Sequence, residues 1–407
     1  MKKTVLREYA KLIAKAGANV QKGQEVFITA ELDQPEFVAM VVDECYKLKA
    51  KKVVVDWSYQ PLTKLHVRYR SVKTLSTLDN YEEARWQHYV DTIPCRIYLI
   101  SEDPDGLRGV NQEKMAKSQQ AKYPIIKGYR DQIENKYQWC IAAVPGEKWA
   151  KKLFPELRAS QAVEKLWEAI LKTSRVTDDP IKAWEDHNRD LHDRCEYLNK
   201  LHIRELRYKS SNGTDFTVGM IPEAQFCGGG ETSLQGIFFN PNIPTEECFI
   251  SPMRGVAEGI VYATKPLSYQ GQLISGFWIR FHEGKAVEWH AEENNELLTK
   301  LIEMDEGSRY LGECALVPFD SPINQTGLLF YNTLFDENAC CHLALGMGFA
   351  DTIQDFQNKT LDECRKLGVN DSMIHEDFMI GSADLSIDAV CEDGKTVAIF
   401  RNGTWAF

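Results

Sequence analysis

The first half of the chain alternates two hydrophobic rhythms. Val5, Tyr9, Leu12, Ile13 and Ala16 recur at helical spacing and stop at Gly17. The run EVFITA from Glu25 to Ala30 then reads as a strand. Asp33 stands three residues before Glu36, with Pro35 between them. This pattern predicts an N-cap at Asp33 and a helix carrying Phe37, Val38, Val41, Val42, Cys45 and Leu48 on one face. Short β-branched or apolar runs return as KVVVDW from Lys52, RIYLI from Arg96 and WCIAAV from Trp139, separated by polar periodic stretches. Strands spaced in this way by helices predict a mostly parallel sheet with crossover helices on both faces. That is a three-layer α/β domain over about residues 1–175.

Asp179-Pro180 reads as a cap followed by a first-turn proline, and Trp184, Leu191, Cys195 and Leu198 continue a helix suited to joining two domains. Beyond it the rhythm changes. Asn212-Gly213 and Asn402-Gly403 lie between strand-like runs, and Glu283-Gly284 separates FWIRFH from KAVEWH, so three hairpins are expected. The expected fold is α/β plus α+β. Residues 1–190 form the N-terminal α/β domain with the connecting helix at its end, and residues 191–407 form a β-rich α+β catalytic domain.

Charge and cysteine usage narrow the function classes. The chain of 407 residues carries 48 Lys and Arg against 59 Asp and Glu, a net charge of −11, which argues against unaided nucleic-acid binding. Eleven cysteines make an odd number without a CxxC pair, and Cys45, Cys140 and Cys314 sit in apolar runs, where a free thiol packs as a small hydrophobe. No apolar stretch approaches the roughly 18 residues of a membrane helix. The N-terminus MKKTVLREYAKLIAKAG has charge scattered through it, unlike a signal peptide. A reduced, cytoplasmic protein without a membrane partner is expected.

The first half offers neither GxGxxG nor a Walker pattern, and the chain has no GxSxG elbow. The triple glycine Gly228 to Gly230 could present N–H groups to an anion, but it reads more simply as a loop. Cys340 and Cys341 precede His342, yet sequence neighbours on a strand point to opposite faces, so no thiol–imidazole nucleophile is implied. The more specific set is His375 and Asp377, two apart and on one strand face, with His342 at the head of an apolar run. Glu247 in a proline-punctuated loop and Glu313 entering an apolar strand complete it. Read alone, these residues make a candidate His/carboxylate metal site. Each also fits a surface acid or a hydrogen-bonded core histidine, and spacing cannot join Glu247 to Asp377.

The run SRYLGECALVPFDSPINQTGLLFYNTLFDENACCHLALG closely resembles the aminopeptidase T/aminopeptidase S (PepS) family of two-metal-dependent aminopeptidases. NPNIPTEECFISPMRGVAEGIVYATKPL, MIHEDFMIGSADLSIDAV and KGQEVFITA resemble the same family, so the likeness spans essentially the whole chain. The resemblance implies a metalloaminopeptidase acting on short peptides as a homodimer, with Glu247, Glu313, His342, His375 and Asp377 holding two divalent ions. Mixed nitrogen and oxygen donors suit zinc, cobalt or manganese. A general base is expected at Glu246, beside Glu247, where a solvated acid is the alternative. Asp336, Glu337 and Asp384 are candidates for holding the substrate's α-amine. The chain departs from the family at Phe349, where a tyrosine is common; Tyr331 is a possible substitute for that hydroxyl. This departure motivates an alternative, a catalytically altered metal- or peptide-binding member of the same fold. The alternating first half motivates another, a nucleotide-dependent enzyme.

Overall fold

The computed structural model describes all 407 residues, in two compact units. One comprises Met1–His187 with Gly230–Thr245, the other Asn188–Gly229 with Glu246–Phe407.

The first unit is built on a parallel sheet. Its strands β1 (Glu25–Glu31), β2 (Lys52–Ser58), β3 (Cys95–Ile100) and β4 (Trp139–Ala143) lie in the order β2-β1-β3-β4. β1 is almost continuously buried, as a central parallel strand covered on both faces must be. Tyr9 and Phe37, from two covering helices, stack at 5.4 Å, with Trp167 packed edge-on against both. The helix Pro35–Lys47 starts one residue later than expected, capped at Gln34 with proline in its first turn. Asp33 is drawn away because its carboxylate accepts a hydrogen bond from Ser101 Oγ at 3.0 Å. The fifth strand comes from far along the chain: Asn242–Ile243 pairs in parallel with β4. Asn240 fastens that segment, donating from its backbone to Gly17 O and from Nδ2 to Ala16 O, both at 2.8 Å.

The helix Pro180–Lys200 leads into the second unit, which holds two antiparallel sheets. The larger has nine strands and contains all three expected hairpins. At two of the turns both residues have positive φ, Glu283 and Gly284 at 49° and 75° and Asn402 and Gly403 at 51° and 72°. That is the backbone a two-residue hairpin of native twist requires. The smaller sheet has four strands, β5 (Cys248–Ile250), β6 (Leu311–Leu316), β7 (His342–Gly346) and β8 (His375–Met379), in sequential order. Cys314, Leu316, Leu343, Leu345 and Phe378 project from one of its faces into a continuous core with Leu206, Phe216, Phe277 and Ile387 of the larger sheet. Its other face carries the chemistry. No helix in the chain is long and apolar enough to cross a membrane.

Candidate metal centre

The alternation of a strand explains how five residues from four distant segments share one face. On β8, His375, Asp377 and Met379 point one way and Phe378 the other; on β7, His342, Ala344 and Gly346 do the same opposite Leu343 and Leu345. The register places Ala344 between Glu313 on β6 and Asp377 on β8, and His342 between Ala315 and Met379. Neighbouring strands are about 4.8 Å apart, so the longer arms of Glu313 and Asp377 converge above a residue that is only a methyl group. Glu247 enters from the residue before β5. Its carbonyl is closely approached by Gly228, where a Cβ would come within 2.6 Å of Glu247 O, so the triple-glycine loop is a packing element rather than an anion cradle.

The five residues meet in two overlapping groups. Ligand atoms of Glu247, Glu313 and His342 lie within 4.8 Å of one another, as do those of Glu313, His375 and Asp377. His342 Nε2 is 3.2 Å from Glu247 and 4.0 Å from Asp377; His375 Nε2 is 3.0 Å from Glu313 and 3.4 Å from Asp377. Both imidazoles are set by the main chain. His375 Nδ1 donates to Met347 O at 2.7 Å and His342 Nδ1 to Cys340 O at 3.3 Å, which turns each Nε2 toward the carboxylates.

A sixth residue joins them. Glu337, in a short turn five positions before His342, is buried and shares a side-chain hydrogen bond with Asp377. Sequence reasoning considered it only for the substrate amine. It lies in the buried run 334–341 between Asp336 and Asn338, where a carboxylate needs partners. Glu246, also buried, donates its backbone N–H to Asn338 Oδ1 at 2.8 Å, and Asn338 Nδ2 in turn reaches Glu337 at 3.2 Å. The other two amine candidates are occupied elsewhere. Asp336 accepts the N–H groups of Phe330 and Asn332 at 2.7 and 3.0 Å. Asp384 is exposed and ties together Ser210, Ser211 and Ser382. Tyr331 has a left-handed backbone (φ 55°), and Phe349 packs its ring on His375.

Crowding of like charges governs the protonation of the cluster. Burial, joined by the charges of Asp377 and Glu247 and opposed by a hydrogen bond from His375, raises Glu313 to about 7. Burial and then the charges of Asp377, Glu247 and Glu313 hold Glu337 well above the ordinary carboxylate range. Burial favours the neutral form of His342, but the hydrogen bond and charge of Glu247 prevail and raise it to about 9. Burial likewise opposes the raised value of His375, and the charge of Asp377 outweighs it. Asp377 is lowered, burial being overcome chiefly by the charge of His375.

The donor set fits divalent cations. Asp377 Oδ1 is buried without a directed hydrogen bond and faces His375 Nε2 at 3.4 Å, which leaves it a lone pair to offer a cation. The carboxylates of Glu247, Glu313, Glu337 and Asp377 would together balance two doubly charged ions, and the two imidazole Nε2 atoms add borderline donors.

The thermophilic metalloprotease (M29) family matches residues 2–405 of the chain. The chain is 39% identical over 404 residues to aminopeptidase AmpS of Bacillus subtilis (strain 168), covering 99% of this chain and 98% of that protein. It is 36% identical over 405 residues to aminopeptidase T of Thermus aquaticus, covering 98% of each. Among solved structures, wild-type AmpT from Thermus thermophilus superposes with a TM-score of 0.88 at 36% identity, over the full length of both chains.

Proposed function

The chain belongs to the thermophilic metalloprotease (M29) family and is a metalloaminopeptidase, and from that premise we propose that Glu247, Glu313, Glu337, His342, His375 and Asp377 hold two divalent cations. Zinc, cobalt or manganese suits these donors. The observation that carries the reading is the pair of donor groups overlapping at Glu313. When bound, such cations polarise a scissile carbonyl and bring the pKa of a water toward neutrality. The protein's own residues do the rest. The carbonyls of Met347 and Cys340 keep each imidazole proton on Nδ1 and leave Nε2 as the donor. Asn338 joins the main chain at Glu246 to the side chain of Glu337. Glu246 is the proposed proton acceptor, passing the proton on to the departing amine.

The substrates proposed are short peptides with a free N-terminus, and the chain is proposed to act as a cytoplasmic homodimer. Ten of its eleven cysteines are buried, as packing residues would be. The catalytically altered reading is not favoured. It rests on Phe349 alone, whereas relatives matched over nearly their whole length carry aminopeptidase names. The deciding experiment is a panel of free and N-acetylated peptides assayed before and after chelation. Release of N-terminal residues from free peptides only, abolished by the chelator and restored by cobalt or zinc, is expected. Equal turnover of acetylated peptides, or turnover indifferent to chelation, would overturn the proposal. Light scattering that gives a monomer would remove the dimer from it.

A further inference from the structure

The two imidazoles of the centre are held in different ways. His342 is sealed in the core, its side chain 1% exposed. His375 is 24% exposed and stands at the rim. Its bond from Nδ1 to Met347 O fixes one point of the ring, and a ring hinged at one point can still swing. The loop that supplies this carbonyl is unusually tightly fastened. Three successive N–H groups are committed: Met347 to Ile374 O at 2.7 Å, Gly348 to Asn370 O at 2.9 Å and Phe349 to Ser251 Oγ at 2.8 Å. Gly312 lies directly beneath, where a Cβ would come within 2.1 Å of Met347 O, so the loop has no slack on that side.

The last residue of the loop lays its ring on the imidazole. Centroids of Phe349 and His375 are 4.7 Å apart at an angle of 46°. Phe249, just before the end of β5, backs Phe349 edge-on at 5.7 Å and 74°. A phenyl ring brings no donor or acceptor to the centre, so its effect on the imidazole is steric and dispersive.

Building on the cation assignment above, we propose that Phe349 is a positioning residue, its ring and the Ser251-anchored loop holding His375 Nε2 toward Glu313 and Asp377. The proposal has an asymmetric consequence. His375 belongs to the group with Glu313 and Asp377 and not to the group with Glu247 and His342. Loosening Phe349 therefore weakens one cation and spares the other.

The test uses the full-length chain, stripped with a chelator and titrated with cobalt(II) alone, followed by calorimetry and by the visible absorption of the bound ion. The unsubstituted protein is expected to bind in two steps. Phe349→Ala should weaken one step by about 10–100-fold and change its absorption band, leaving the other step unaltered. Phe349→Tyr, which keeps the ring face, should restore both. Should Phe349→Ala fail to fold by circular dichroism, Ser251→Ala removes the loop anchor and is expected to weaken the same step. Two steps of normal affinity in the alanine variant, or two steps weakened equally, overturn the positioning role alone. An unsubstituted chain that takes up no cobalt overturns the cation assignment and the positioning role with it.

Discussion

Glu313 stands in both donor groups, so its replacement removes more than that of any other member. Glu313→Gln keeps the volume and removes the charge. It is expected to lower kcat/KM by more than about 100-fold and to leave less than one cation per chain by elemental analysis, whereas His342→Ala should retain one. The same residues set a pH dependence whose sign can be worked out. Glu313 is raised from 4.5 to about 7 in the fold, so its stabilising contribution is complete below pH 4.5 and is lost as the pH rises through about 7. His342, raised from 6.5 to about 9, acts in the same direction between those values. Stripped protein is therefore expected to melt at a lower temperature at pH 9 than at pH 5. Cation affinity should climb over the same interval, because the ions compete with these protons. A stripped protein that gained stability toward pH 9 would contradict the assignment. The candidate acids and imidazoles stood out in the sequence because such groups are out of place in apolar strands, whereas only the family resemblance joined them into one set. The placement of Glu337 beside Asp377 could not be read, because nothing local distinguishes an acid aimed at a cluster from its neighbour Asp336, which is turned to backbone N–H groups.

At the scale of elements, the four-stranded sheet works because one face is apolar and the other has room. Ala315, Ala344 and Gly346 are the small residues among the donors, and Ala344 lies at the centre of the row from Glu313 to Asp377. Ala344→Leu should fill that space. Calorimetric titration is expected to show both cation steps weakened while the far-ultraviolet circular dichroism remains that of the unsubstituted chain. Overpacking of this kind costs about 1–3 kcal/mol of stability. The hairpins could be read from sequence because two turn residues and their flanking strands are adjacent in the chain. The register of β6, β7 and β8 could not. It depends on pairings across some thirty residues of loop and short turns, and a slip of one residue would have turned every donor into the core.

At the scale of the molecule, the first unit is assembled from pieces that sequence order separates. Its four longer strands were legible from their β-branched runs, but the fifth is two residues long and carries no periodicity to read. Ile243 in that strand is fully buried and approaches Gly17. Ile243→Ala is expected to cost about 2–5 kcal/mol and to speed hydrogen exchange in β1, β3 and β4, with β6, β7 and β8 exchanging as before. Stripping the cations should do the reverse, and equal effects on all six strands would show that the two units do not respond separately. The interleaved order also bears on synthesis. When Ala143 completes β4 on the ribosome, the strand that covers its open edge lies about a hundred residues downstream, beyond the connecting helix and the first hairpin of the second unit. At about 5–20 residues per second the nascent sheet waits some 5–20 seconds with that edge unpaired, a window in which a chaperone would find its client.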